Sequence, residues 1–145
     1  MLSLLRIEYL PTVLLPSIIG IYFSKRQLLV LLPSLIGWCF LAIGQNLLND
    51  FFDQDRKLVL GRRGLLLLSI AITILSFPLF SFELILYPVL FFIIDVLYNW
   101  KLKKIGIINI TLQVLAYSIL PYLYYSSSIN WVILSFFVIG GLEVN

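Results

Sequence analysis

Long uncharged apolar runs are the feature that most constrains what this 145-residue chain can fold into. Residues 27–49 form one such run and residues 105–142 form another, and neither contains a charged side chain. A helix needs about 20 mainly apolar residues to cross a membrane, and both runs meet that length. Hydrophobic residues make up 61% of the chain and charged residues 12%, against about half and a quarter in soluble domains. These features predict an integral membrane protein of the all-α class.

Six membrane-spanning helices are predicted from the apolar runs and from the polar segments between them. Their expected bounds are 7–24, 27–53, 64–82, 84–100, 105–125 and 130–143. The polar turn "SSSINW" divides the last long run into the fifth and sixth helices, because the whole run is too long for a single span. Short links between the helices favour an antiparallel bundle that forms one transmembrane domain over residues 1–145.

The basic residues predict how the bundle is oriented in the membrane. With the N-terminus in the cytoplasm, eight of the ten lysines and arginines fall on the cytoplasmic side. These are Arg6, Arg56, Lys57, Arg62, Arg63, Lys101, Lys103 and Lys104. Cytoplasmic loops of membrane proteins are enriched in Lys and Arg. We therefore expect a multi-pass protein of a bacterial or archaeal plasma membrane with a cytoplasmic N-terminus.

Residue types that are absent or rare narrow the chemistry. The chain contains no histidine, which excludes Ser-His triads and histidine-ligated metal sites within it. Cys39 is the single cysteine and has no second cysteine in the sequence with which to form a disulfide. The net charge of +3 comes without a basic tail, so we expect no binding to nucleic acid.

The stretch "GQNLLNDFFDQDRK", residues 44–57, gathers polar side chains at the cytoplasmic end of the predicted second helix. At about 100° per residue, four of them fall within one arc of about 100°. They are Asn46, Asn49, Asp50 and Asp53. Such a face in lipid needs a positive partner, and Mg²⁺ is typically held by one or two carboxylates together with substrate phosphates. The face predicts a metal-assisted diphosphate site; the alternative is a helix end whose charges are simply solvated.

Part of this stretch, "NDFFDQDRK", carries a resemblance to a known family. It resembles the first aspartate-rich motif of the UbiA superfamily of intramembrane prenyltransferases, usually N-D-x-x-D-x-x-x-D. Asn49, Asp50 and Asp53 match this motif by position. Lys57 stands where the motif has its last aspartate, and Asp55 would replace that ligand only if the helix ends before it.

The segment "LYNWKLKKIGIINI", residues 97–110, carries a second resemblance to the same family. It is similar to the segment after the family's fourth helix, commonly Y-S-x-x-L-K-R followed by a glycine-containing start to the fifth. Tyr98, Lys103 and Lys104 match, and Asn99 stands where serine is usual. The family has a nine-helix fold with a second aspartate motif after its sixth helix. The resemblance therefore implies a truncated chain, covering about the first six helices, without transferase activity of its own.

The resemblance implies Mg²⁺-dependent transfer of a prenyl group from a polyprenyl diphosphate to an acceptor within the membrane. The acceptor would be an aromatic or lipid molecule of quinone, haem or lipid biosynthesis. Asp50 and Asp53 would be the catalytic metal ligands, and Asn49 would complete the protein's part of the metal site. The resemblance places Tyr98, Lys103 and Lys104 around the diphosphate, and also Arg6, for which the alternative is an anchor on the cytoplasmic side. Arg62 could hold the diphosphate from the loop after the second helix, where Arg63 is equally placed.

Asp95 is the charged residue that interrupts the predicted fourth helix. A charge at membrane depth costs about 2.5–3.5 kcal/mol on insertion scales and normally faces a partner or a wet cavity. Tyr98 and Asn99 lie one turn further along, within hydrogen-bonding reach of Asp95. Asp95 is therefore expected to line a substrate cavity, as a polar group together with Asn46, or else to make an interhelical hydrogen bond.

Two other functional classes stay open from the sequence. A small membrane protein that binds an isoprenoid or a protein partner without catalysis would fit the substitution at Lys57 and the short chain. A transporter or channel segment would fit the intramembrane Asp95, since ionisable residues inside a membrane often line ion pathways. It would also fit the prolines within the apolar runs.

Overall fold

The computed structural model describes residues 10–24, 28–53, 61–102, 105–126, 130–133 and 135. Its α-helices are α1 (Leu10–Ser24), α2 (Leu28–Asp53), α3 (Arg62–Ser76), α4 (Leu86–Trp100), α5 (Gly106–Val114) and α6 (Leu120–Tyr125). Two 3₁₀ turns, Phe77–Leu79 and Phe82–Leu84, lie between α3 and α4, and a π-helical segment, Leu115–Ile119, joins α5 to α6. None of the described residues lies in a strand, so the all-α prediction is confirmed for this part of the chain.

Pro78 explains the largest difference between predicted and observed helix bounds. The predicted third helix runs to residue 82, whereas α3 ends at Ser76 and gives way to the 3₁₀ turn Phe77–Leu79. Proline lacks a backbone N–H and fixes its own φ angle, so an α-helix that continues through it loses a hydrogen bond. The backbone is extended at Phe80, and α4 begins at Leu86, two residues later than predicted.

The stretch from residue 106 to residue 125 is one continuous helix with a π-helical segment in its middle. It occupies the position of the predicted fifth helix. π-helical turns inside α-helices are rare and are frequent at functional sites. Of the predicted sixth helix, residues 130–133 and 135 are described; Asn130 is not helical, and residues 131–133 and 135 are.

α2 and α3 pack closely and run antiparallel. Gly44 of α2 lies against Ser69 and Thr73 of α3, and the Ser69 Oγ donates a 2.7 Å hydrogen bond to the Gly44 carbonyl oxygen. A Cβ at Gly44 would collide with the Thr73 hydroxyl. Earlier in α2, a Cβ at Gly37 would lie 3.1 Å from the ring of Phe80, which follows α3. Small residues at both levels allow this close approach of the two helices.

α4 runs antiparallel to the continuous helix that contains α5 and α6. Near the start of α4, the ring of Tyr87 lies 6.2 Å from the ring of Tyr124 in α6. One turn further along α4, the ring of Phe91 lies 5.0 Å from the ring of Tyr117 in the π-helical segment. Later residues of α4 therefore meet earlier residues of the neighbouring helix.

α2 and α4 run in the same direction. Gly20 contacts Tyr122 and Tyr125, so the C-terminal ends of α1 and α6 lie together, and α1 also packs against the π-helical segment. α1 and α6 are therefore parallel. α2 begins soon after α1 ends and packs back against it, while α4 is antiparallel to α6. α2 and α4 thus point the same way, and they meet where the rings of Trp38 and Phe91 lie 5.5 Å apart.

Aromatic rings fill the core at the level of Trp38. The Trp38 side chain is fully buried, and the rings of Phe80, Phe91 and Tyr124 meet it edge to face. The Tyr124 hydroxyl also accepts a 3.0 Å hydrogen bond from the backbone N–H of Ser81. Each edge-to-face pair contributes about 0.5–1.5 kcal/mol beyond its buried area. This aromatic cluster joins α2, α4, α6 and the connection between α3 and α4.

The described helices carry apolar side chains on the outside and several polar side chains inside. Outward-facing residues that are 62% exposed or more include Leu29, Leu67, Ile74, Leu75 and Leu86. The buried polar residues include Gln45, Asn46, Asp50, Asp95 and Asn99. By length and composition, two helical stretches among the described residues could cross a membrane, Leu31–Asp53 with 23 residues and Arg62–Leu79 with 18.

Candidate functional site

The polar residues predicted in the second helix lie in the last turns of α2. Helical geometry is unbroken from Leu28 to Asp53, so Asn46, Asn49, Asp50 and Asp53 share one side of the helix. These four residues are called the α2 face below. Asp50 and Asn46 are buried, and Asn49 and Asp53 are half-buried. A solvated helix end would expose its charges, whereas Asp50 is only 4% exposed.

The burial of the α2 face follows from the central position of α2. This helix packs against α1, α3 and α4. The five consecutive residues Gly44–Leu48 are all buried, although together they cover the whole circumference of the helix. Leu47 and Leu48 fill the apolar contacts, while the side chain of Gln45 is buried as completely as that of Leu47. Neighbouring helices therefore enclose Gln45, Asn46 and Asp50, while Asn49 and Asp53 are half-buried.

Asp95 lies inside the bundle, and both of its carboxylate oxygens accept hydrogen bonds. Oδ1 accepts from the Tyr117 hydroxyl at 2.8 Å, and Oδ2 accepts from the Asn99 Nδ2 at 2.7 Å. The Asn99 Nδ2 also donates to the backbone oxygen of Asp95, at 3.0 Å. We call Asp95, Asn99 and Tyr117 the Asp95 network. The hydrogen bond from Tyr117 to Asp95 is the expected interhelical hydrogen bond, and it connects α4 to the π-helical segment.

Tyr98 has a partner on the neighbouring helix as well. Its hydroxyl accepts a 2.6 Å hydrogen bond from the Gln113 Nε2 of α5. Sequence reasoning placed Tyr98 within reach of Asp95, one turn away on the same helix, but did not identify Gln113. Gln113 and Tyr117 are four residues apart, so one side of their helix supplies hydrogen-bond donors to both Tyr98 and Asp95.

The basic residues of the described part of the chain lie on its outside. Arg62 is exposed at the start of α3, with its guanidinium carbon 4.8 Å from the centre of the Phe51 ring. Arg63 is exposed beside it, and the exposed Lys101 lies with its Nζ 4.4 Å over the Trp100 ring. Arg62 is thus close to the last turn of α2 without pointing into the bundle. The predicted residues that fall outside the described ranges are Arg6, Asp55, Lys57, Lys103 and Lys104.

The oxygen atoms of the α2 face form a set that fits Mg²⁺. Asp50 and Asp53 supply two carboxylates about one turn apart, and Asn46 and Asn49 supply amide oxygens on the same side of the helix. Among the described residues, no three Asp, Glu, Cys or His side chains cluster as metal ligands. Mg²⁺ usually takes one or two protein carboxylates and completes its octahedron with water and substrate phosphate oxygens. Two carboxylates therefore suit a cation that is shared with a phosphate group.

Several buried polar atoms of α2 and α4 have no hydrogen-bond partner within the described ranges. They are the Trp38 Nε1, both amide atoms of Gln45, the Asn46 Nδ2 and the Asn99 Oδ1. An unpaired buried polar group costs about 1–3 kcal/mol, so a bound group that pairs with it is favoured. The sequence prediction omitted Gln45, although it lies one turn before Asn49. Widening the predicted arc by about 40° would have included it.

Comparisons of the chain with protein-family models, with curated proteins and with solved structures find no match. The resemblance to the UbiA superfamily therefore rests on the two sequence motifs.

Proposed function

We propose that the chain is part of a UbiA-type prenyltransferase that moves a prenyl group, with Mg²⁺, from a polyprenyl diphosphate to an acceptor in the membrane. The observation that carries the proposal is the buried α2 face. Its two carboxylates and two amide oxygens lie on one side of a helix, at the end of the bundle where Arg62 lies. Mg²⁺ that is bound to a diphosphate is typically held by such a donor set.

A multi-pass membrane position accounts for the surfaces of the described helices. Large apolar side chains such as Leu67 and Ile74 point outward, where lipid would cover them. Asp95 and the α2 face point inward, where polar groups of membrane proteins are normally found. Arg62 and Lys101 lie at the end of the bundle where α2 and α4 finish. The enrichment of basic residues in cytoplasmic loops favours that end as the cytoplasmic one.

The residues at the end of α2 would bind and orient the diphosphate. Mg²⁺ held by Asp50 and Asp53 would stabilise the negative charge that builds on the leaving diphosphate. The exposed side chain of Arg62 lies next to the last turn of α2, from which it would reach the outer phosphate. The Tyr98 hydroxyl accepts from Gln113 and can still donate its own proton to a phosphate oxygen. Lys103, Lys104 and Arg6 are assigned to the diphosphate by the family resemblance alone.

The prenyl chain would lie inside the bundle on the aromatic side of the α2 face. Beyond Gln45, the interior is filled by the ring cluster around Trp38, Phe91 and Tyr124, so these rings would move apart to admit the chain. As the diphosphate leaves, the allylic carbon would become positively charged, and aromatic faces attract such a cation. Rings packed around the chain would also exclude water, which would otherwise capture the cation.

A ligand-binding measurement tests this proposal. The chain is purified in lipid nanodiscs and titrated with geranylgeranyl diphosphate, first with Mg²⁺ and then with excess EDTA. We expect the affinity to fall at least about tenfold in EDTA, because the link between the carboxylates and the phosphate is lost. Geranylgeraniol has the same tail without the diphosphate and should bind equally under both conditions. Equal affinity for the diphosphate with and without Mg²⁺ would contradict the proposal.

A further inference from the structure

The hydrogen bond between Gln113 and Tyr98 sets the direction in which the Tyr98 hydroxyl can donate. The Gln113 Nε2 lies 2.6 Å from the Tyr98 hydroxyl oxygen, and both side chains are half-buried. An amide nitrogen donates and does not accept, whereas a phenolic hydroxyl has one proton to give and also accepts. In this pair the Tyr98 oxygen is therefore the acceptor, and its own proton is directed away from Gln113.

Tyr98 lies on the side of α4 that contacts other helices. It is seven residues after Phe91, which is nearly two helical turns, so the two residues share one side of the helix. The ring of Phe91 lies 5.5 Å from the ring of Trp38 in α2 and 5.0 Å from the ring of Tyr117. Because α4 ends two residues after Tyr98, this tyrosine lies towards the end of the bundle where α2 also finishes.

A second hydrogen bond holds the same two helices one turn away. The Tyr117 hydroxyl donates to Asp95 at 2.8 Å. Asp95 and Tyr98 are three residues apart on α4, and their partners are four residues apart on the antiparallel neighbour, so the two bonds stack along the helix pair. The Tyr117 bond therefore fixes the position of the neighbouring helix, and with it the position from which Gln113 donates to Tyr98.

We propose that Gln113 is a positioning residue, which holds the Tyr98 hydroxyl as an acceptor so that its proton is donated to a phosphate oxygen of the prenyl diphosphate. The inference rests on the proposed function, which assigns Tyr98 to the diphosphate, and deepens it by naming the residue that orients Tyr98. Gln113 acts through Tyr98 and does not touch the substrate. Without Gln113, the hydroxyl would turn between several directions and would have to be ordered when the diphosphate binds.

A double-mutant cycle on ligand binding tests this inference. Wild type, Tyr98→Phe, Gln113→Met and the double variant are titrated in nanodiscs with geranylgeranyl diphosphate and Mg²⁺. Methionine keeps the length of the glutamine side chain but cannot donate. We expect Tyr98→Phe to weaken binding about tenfold and Gln113→Met about fivefold. The double variant should bind within about twofold of Tyr98→Phe, because Gln113 has no hydroxyl left to orient.

Geranylgeraniol is the control ligand, since it has the same tail without the diphosphate. All four proteins should bind it equally. A parallel loss of geranylgeraniol binding in Gln113→Met would overturn the inference, because Gln113 would then support the bundle and not the hydroxyl. The fluorine NMR signal of 3-fluorotyrosine at position 98 supplies a readout without ligand. We expect Gln113→Met to shift this signal, and an unchanged signal would remove the contact on which the inference depends.

Two further results of the cycle would overturn the inference. One is diphosphate affinity of Gln113→Met equal to that of the wild type. The other is a double variant in which the two losses multiply, because Gln113 would then act independently of Tyr98. Failure of the proposed function is seen separately, in the wild type alone, as diphosphate binding that EDTA leaves unchanged.

Discussion

Asp53→Asn is expected to lower prenyl transfer by the full-length gene product at least about a hundredfold at saturating Mg²⁺ and prenyl diphosphate. The substitution exchanges a carboxylate of the α2 face for an amide of nearly the same size, so it removes a charge without removing bulk. Stabilisation of a leaving group by a metal contributes several kcal/mol, and about 1.4 kcal/mol corresponds to tenfold in rate. The measurement is the transfer of radiolabel from the prenyl diphosphate into the lipid extract of isolated membranes.

Glu83→Gln is the matched control for this experiment. Glu83 is exposed in the 3₁₀ turn Phe82–Leu84, near the end of the bundle opposite to Asp53. The same exchange of carboxylate for amide there should leave the rate within about twofold of the wild type. Wild-type turnover of Asp53→Asn would remove Asp53 from the metal site and with it the assignment of the α2 face.

Tyr117→Phe is expected to lower the free energy of unfolding by about 1–3 kcal/mol, the usual cost of leaving a buried acceptor without its donor. The variant deletes the hydroxyl that donates to Asp95 at 2.8 Å and leaves a buried carboxylate oxygen short of a donor. The phenylalanine ring keeps the edge-to-face contact with Phe91. Unfolding in detergent, followed by circular dichroism against temperature or denaturant, measures the loss.

Tyr87→Phe separates this effect from the general loss of a tyrosine hydroxyl. The ring of Tyr87 contacts Tyr124, and its hydroxyl has no hydrogen-bond partner among the residues that the structure describes. We expect a change within about 0.5 kcal/mol. Similar losses in the two variants would mean that the Tyr117 bond to Asp95 does not hold α4 against the π-helical segment.

The α2 face is the part of the candidate site that helical periodicity can predict. Asn46, Asn49, Asp50 and Asp53 lie within an uninterrupted helix, so a rotation of about 100° per residue determines which side chains share a side. The all-α class is predictable for a similar reason, because each apolar run is long enough to form a helix by itself. The end of α3 before Pro78 is less predictable, because Pro16 and Pro33 lie inside helices that continue through them.

The partners of Asp95 and the burial of Gln45 could not be predicted from local pattern. Tyr117 is 22 residues from Asp95 along the chain, and their contact depends on which helix packs against α4. Periodicity also assumes one buried side, whereas α2 is enclosed by α1, α3 and α4. A helix enclosed in this way also buries Gln45, which lies about 40° outside the predicted arc.

Photocrosslinking tests most directly whether the α2 face binds a prenyl diphosphate inside a bundle of membrane helices. A prenyl diphosphate with a photoreactive group in its first isoprene unit is irradiated with the chain in nanodiscs, and the labelled peptides are mapped by mass spectrometry. We predict labelling of α2 between Trp38 and Asp53 and of α4 near Asp95, lost when EDTA removes Mg²⁺. Labelling confined to outward-facing residues such as Leu67 and Ile74, or unchanged by EDTA, would contradict the central claim.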